Sequence, residues 1–217
     1  MSSRTWIVRS DRLKDPQVAS VVLRLMMAIN DSSLANNALH EWSQSEERTK
    51  KNRMFGGKIY FARVQLGHVY EALLVIEEML RSDKLTGLVG ATDSGTQAAF
   101  KKLEAFVGSD DYHLLLRLRN NLSFHYDRKL AIRALERILI VRPDDISPMS
   151  VGSEVLHWHF LLADKVSNSI FARDVLRLAE EETNVTAEAD KIIHRMFDVH
   201  EVLGEFAIGF IRHCFAK

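Results

Sequence analysis

The 217-residue sequence contains one cysteine, three prolines and ten glycines. A lone Cys214 excludes an internal disulfide and a thiolate zinc site, and it points to a reducing compartment. Scarce Pro and Gly among many Leu, Ala, Glu, Arg and Lys leave few helix breakers. The formal net charge is zero, so the chain is not coated in charge of one sign. Neither G-x-x-x-x-G-K-[ST] nor G-x-G-x-x-G occurs, which leaves phosphate-loop nucleotide binding without support, and H-E-x-x-H is also absent. No unbroken apolar run reaches the roughly 18 residues of a bilayer span. Residues Met1 to Arg12 are charged and lack an apolar h-region. No membrane partner and no secretory signal are expected, and the cytoplasm is the expected location.

What is present is the composition of a globular protein, 47% apolar and 27% charged. This length buries about 70% of the unfolded surface, enough for one core and a single domain over 1–217. Asp15-Pro16 starts a helix that Val18, Val21, Val22, Leu25, Met26 and Ile29 carry to about Asn30. Asn30-Asp31-Ser32-Ser33 reads as a turn. A second segment begins near Leu34, and Gly56-Gly57 is expected to break or bend it. From Lys58 a long helix follows, with Ile59, Ala62, Leu66, Val69, Tyr70, Leu73, Ile76, Glu77 and Leu80 on one stripe. Within it, Gly67-His68 is a notch for a close neighbour, and His68 is expected to pair structurally with Glu71, three residues on.

Ser82 to Asp93 reads as a loop, and Ser94-Gly95-Thr96-Gln97 as a capping box for a helix ending at Gly108. Ser109-Asp110-Asp111 caps the next helix, and Leu130 to Leu139 is expected to continue it. A short β excursion is expected near 138–151. Ser153 then caps a helix from Glu154 to about Ala179, breaking near Ser167-Asn168-Ser169, and Thr186 opens the last one. The expectation is an all-α helical bundle of six to eight helices.

Charge is uneven locally. Arg48 to Arg63 holds six basic residues and no acidic one, and Arg117 to Arg142 holds seven against Asp127 and Glu136. Either block suits an anionic partner, although the first reads more simply as a solvated face. His157-Trp158-His159 shares a face only if extended; on the expected helix its histidines diverge. His194, Asp198, Glu201 and Glu205 share a polar face of the last helix, best read as ion-paired to Lys191, Arg195 and Arg212. His200 lies on the apolar stripe and reads as a satisfied core or interface histidine. No metal and no cofactor are expected.

The stretch that helix stability does not explain is Arg119-Asn120-Asn121-Leu122-Ser123-Phe124-His125-Tyr126-Asp127. Asparagine and serine compete for backbone hydrogen bonds inside a helix, yet here they lie between an arginine and a histidine. Leu115, Leu118, Leu122 and His125 fall on one seam, with Arg119 about 120° away at 100° per residue.

This stretch resembles the signature of the HEPN superfamily, small all-helical proteins with an arginine, a polar residue, four to six residues and a histidine. Gly67, His68 and Glu71 on a preceding long helix agree with that resemblance, which covers roughly 34–137 and is closest to an abortive-infection branch. The remainder, about 153–217, is a C-terminal helical extension. The resemblance implies a metal-independent endoribonuclease of toxin or phage-defence type, leaving 2′,3′-cyclic phosphate ends. It further implies Arg119 and His125 as the catalytic pair, with two protomers joined through the motif helix so that both copies line one cleft. Asn120, Ser123, Tyr126 and Asp127 are expected to support the site, Asp127 by tuning His125. Arg117, Arg128, Lys129 and Arg133 are the expected RNA phosphate contacts. An antitoxin partner is a further implication. The alternative is a noncatalytic HEPN-like module that binds RNA or protein. Some relatives carry a modifiable tyrosine two residues past the histidine; Asp127 stands there, so that regulation is not carried over.

Overall fold

The Asp15 side chain accepts hydrogen bonds from the backbone N–H groups of Gln17 and Val18, both at 3.1 Å, and Pro16 occupies the first helical position. This cap starts α1, Pro16–Gln44. In a computed structural model describing residues 9–46, 54–120, 127–144, 146–154, 158–179 and 185–216, the chain forms eight α-helices among the described residues. They are α1, α2 (Met54–Leu80), α3 (Asp83–Gly90), α4 (Ser94–Phe106), α5 (Asp110–Leu118), α6 (Arg128–Val141), α7 (Leu161–Ser169) and α8 (Val185–Ala216). The architecture is the all-α bundle expected.

Helix α1 runs unbroken through the expected turn at Asn30 to Ser33. Ser32 is 1% exposed, and its hydroxyl donates to the Ile29 carbonyl at 3.2 Å. The same oxygen lies 2.9 Å from His200 Nε2, and Gln65 Nε2 lies 3.1 Å from His200 Nδ1. Since Gln65 Nε2 can only donate, Nδ1 accepts and Nε2 carries the proton into Ser32. The network holds the neutral imidazole, and burial depresses the His200 pKa below its ordinary 6.5. An unfolded chain binds this proton more readily, so stability is expected to fall as pH drops below about 6.5. His200→Gln should flatten that dependence in urea melts between pH 7.5 and pH 5; an unchanged slope counts against it.

Gly56 and Gly57 lie in the first turn of α2 rather than breaking a helix. A Cβ on Gly57 would come 2.2 Å from the Trp42 ring, and one on Gly56 2.6 Å from Asp164 Oδ2. The pair is there for close approach. Ser82 to Asp93 likewise is not a loop: Leu85 and Val89, one turn apart, are buried and anchor α3. The cap of α4 is Asp93, one residue before the expected box. Its carboxylate accepts from Thr96 N at 3.0 Å and Thr96 Oγ1 at 2.7 Å. Gly108, at φ +86°, follows the end of α4 in the left-handed region. Ser109 then caps α5, accepting from Tyr112 N at 3.2 Å.

The core draws on nearly every helix: Leu25 of α1, Leu73 and Ile76 of α2, Leu103 of α4, Leu115 and Leu118 of α5, and Phe206 and Phe210 of α8. Glu77, the polar member of the α2 stripe, accepts a 3.0 Å hydrogen bond from the Tyr112 hydroxyl, whose pKa burial and that carboxylate raise. Pro16–Gln44 and Ile59–Leu80 are long and apolar enough to cross a membrane by length and composition. In the fold they supply Val21, Val22 and Leu25, and Leu66, Val69 and Leu73, to this core.

The C-terminal half departs most from expectation. Ile138 to Val141 is helical, and the β excursion is instead Met149–Ser150 paired antiparallel with His159–Phe160, Met149 opposite Phe160. The expected helix from Glu154 starts only at Leu161, after this strand pair, and gives way after Ser169 to a wider π-helical stretch, Ile170–Val175. Glu180 to Asn184 and His157 lie outside the described residues.

Candidate functional site

Helix α5 ends where the motif begins. At Arg119 and Asn120 the chain widens from α- to π-helical winding, a feature frequent at functional sites. Asn121, Leu122, Ser123, Phe124, His125 and Tyr126 lie outside the described residues. Description resumes at Asp127, whose Oδ1 accepts the Leu130 backbone N–H at 2.8 Å and caps α6. This corrects one expectation: the motif helix does not run on into Leu130 to Leu139, because Asp127 caps a new helix.

Arg119 is held from two sides. Its Nε donates to Glu71 Oε1 at 3.2 Å and its Nη1 to Asn120 Oδ1 at 3.2 Å. The side chains of Arg119 and Glu71 stay 43% and 47% exposed. Among the described residues two of its five guanidinium N–H donors are used, which leaves three for a ligand. Glu71 therefore meets Arg119 and not His68. His68 Nδ1 instead stands 3.7 Å from Asp31 Oδ2 across the α1–α2 seam.

Beside this contact a cavity of about 290 Å³ opens between α1 and α2, lined by Arg24, Asp31, His68 and Glu71 over Leu74 and Val75. Arg24 donates to Glu78 at 2.5 Å. The cavity thus gathers a cation, a histidine and two carboxylates, with Arg119 fixed to one of them. Sequence reasoning missed Arg24 and Asp31. A usable signal exists, since seven residues is nearly two turns and sets both on one face of α1.

Of the four expected phosphate contacts, Arg117 separates from the three on α6. Arg117, two residues and about 200° from Arg119, turns to the opposite face. There its Nε donates to the Val175 carbonyl at 3.4 Å. Burial, then the nearby Arg177, lowers its pKa. It is packed against the C-terminal half and does not share a surface with Arg119. Arg128 and Lys129 are exposed in the first turn of α6, where cations oppose the helix dipole, and Arg133 lies 3.7 Å from Asp174 while 60% exposed.

The other histidine and acid groupings resolve as structure. His159 Nε2 is 2.9 Å from Asp164 Oδ2, and His194, Asp198, Glu201 and Glu205 are exposed on α8. Arg195 grips Asp111 of α5 with both Nε and Nη2, at 3.2 and 3.1 Å. Among the described residues no group of three or more His, Cys, Asp or Glu is placed to hold a metal ion. Compared with protein-family models, curated proteins and solved structures, the chain matches none.

Proposed function

We propose that this protein is a metal-independent endoribonuclease of the HEPN type, acting as a toxin or phage-defence factor. The observation that carries the reading is Arg119: half-exposed, fixed by Glu71 and Asn120, and placed where the helix gives way at the signature motif. Its remaining donors suit a bidentate grip on an RNA phosphate and on the extra charge of a pentacovalent transition state. The His125 imidazole takes the 2′-OH proton or returns one to the departing 5′-oxygen. The O2′–P bond forms as the P–O5′ bond breaks, leaving a 2′,3′-cyclic phosphate and a 5′-hydroxyl. Two copies paired through the motif segment would supply complementary groups to one cleft. An antitoxin would silence the protein by covering that cleft.

Purified protein incubated with total RNA or tRNA in EDTA is expected to generate cyclic-phosphate ends. Cleavage no greater than that of His125→Ala would sink the reading. The Arg119–Glu71 pair also favours a second reading, a noncatalytic RNA-binding module, because the carboxylate already neutralises the guanidinium. That module retains RNA without new ends, and its binding weakens as salt rises.

A further inference from the structure

Away from Arg119, a second cavity of about 260 Å³ lies between α6 and α7 and reaches the π-helical stretch. Arg137, Arg142, Lys165 and Arg173 line it, with Ile138 and Val141 as an apolar wall, and no carboxylate is among its lining residues. Four cations around one small space repel each other unless an anion enters.

Three of them are held in place from behind. Arg137 donates through Nη2 to Asp174 at 2.5 Å; the two side chains are 23% and 11% exposed. Lys165 donates to Ser147 Oγ at 3.0 Å, and Arg173 to the carbonyls of Leu178 and Ala179. Asp174 offsets the Arg137 charge, while Arg142 and Arg173 meet no carboxylate among the described residues, so the lining keeps a positive excess. Each guanidinium retains further N–H donors, since it has five. Among the described residues Arg137 Nε is buried with no hydrogen-bond acceptor, a costly state that an incoming oxygen relieves.

We propose that this cavity binds the phosphate of a nucleotide, either free or within an RNA chain. Planar guanidinium forks match phosphate oxygens bidentately. The Ile138–Val141 wall suits a ribose or base better than it suits a bare ion, and the volume accommodates one nucleotide rather than several. The site does not depend on the ribonuclease reading, because none of its residues belongs to the Arg119 site.

The test is calorimetric titration of the full-length protein at low salt with 5′-AMP, adenosine and a 2′-O-methyl octaribonucleotide that cannot be cleaved. Adenosine should not bind. Arg142→Ala, at an exposed position, should weaken binding several-fold, and Arg142→Glu with Lys165→Glu at least about tenfold, while Arg119→Ala leaves 5′-AMP binding unchanged. Tight 5′-AMP binding identifies a free-nucleotide site. Binding of the octamer alone, lost in the pocket variants, identifies an RNA subsite. The proposal is overturned if neither phosphate ligand binds, if adenosine binds as well as 5′-AMP, or if Arg142→Ala and the double variant both bind like wild type.

Discussion

Arg119→Ala is expected to reduce RNA cleavage about 10²–10³-fold, the range found when one charge-stabilising donor is removed from a reacting centre. Arg119→Lys should rescue little of it, because an ammonium cannot reproduce a planar two-donor grip. His125→Ala should cost about 10²–10⁴-fold through the lost proton transfer. These variants should fold normally. The Arg119–Glu71 contact is nearly half-exposed, and an exposed pair of this kind contributes at most about 1 kcal/mol. Single-turnover cleavage assays beside urea melts separate the two effects. If activity falls only in proportion to stability, Arg119 is a packing residue and the catalytic reading is lost. Mixing Arg119→Ala with His125→Ala protein adds a second readout. Where two copies share a cleft, one of the two composite sites in a mixed dimer keeps an intact pair, and part of the activity returns.

Much of the bundle is legible in sequence because helical periodicity is a local property. The α2 stripe from Ala62 to Ile76 is buried as its spacing demands, and Ser109 caps α5 as its position suggests. Failures occur where a distant partner reverses a local preference. Ser32 looks like a turn residue until His200, 168 positions away, shares a hydrogen bond with its hydroxyl inside α1. Gly57 looks like a breaker until Trp42 closes on it. The motif shows the same division. Arg119 is recognisable from its neighbours, but its partner Glu71 lies 48 positions away on another helix. An i, i+3 rule would have given Glu71 to His68. Asp127 shows the converse, a purely local job that needs no distant partner, since it caps α6.

Phe206→Ala is expected to destabilise the protein by about 3–5 kcal/mol, the usual cost of emptying a buried aromatic site. Phe206 of α8 is 0% exposed. Its ring centroid lies 5.1 Å from that of Phe100 on α4 and 5.5 Å from that of Phe210, the latter stacked at 23°. The surroundings are poorly able to collapse into the space. One turn further along, α4 and α8 already touch so closely that a Cβ on Gly209 would meet Thr96 Oγ1 at 1.9 Å. The same helix carries His200 to Ser32 and Gln65, and Arg195 to Asp111 of α5. It therefore ties α1, α2, α4 and α5 together from one side, and loosening it loosens the helix that ends in Arg119. Against a total stability of about 5–15 kcal/mol, the loss amounts to a fall in Tm on the order of 10 °C for a chain of this size. A urea midpoint that moves by less than the equivalent of about 1 kcal/mol would mean that α8 is peripheral. A large shift, with cleavage and stability falling together, would separate this variant from Arg119→Ala, where only cleavage should fall.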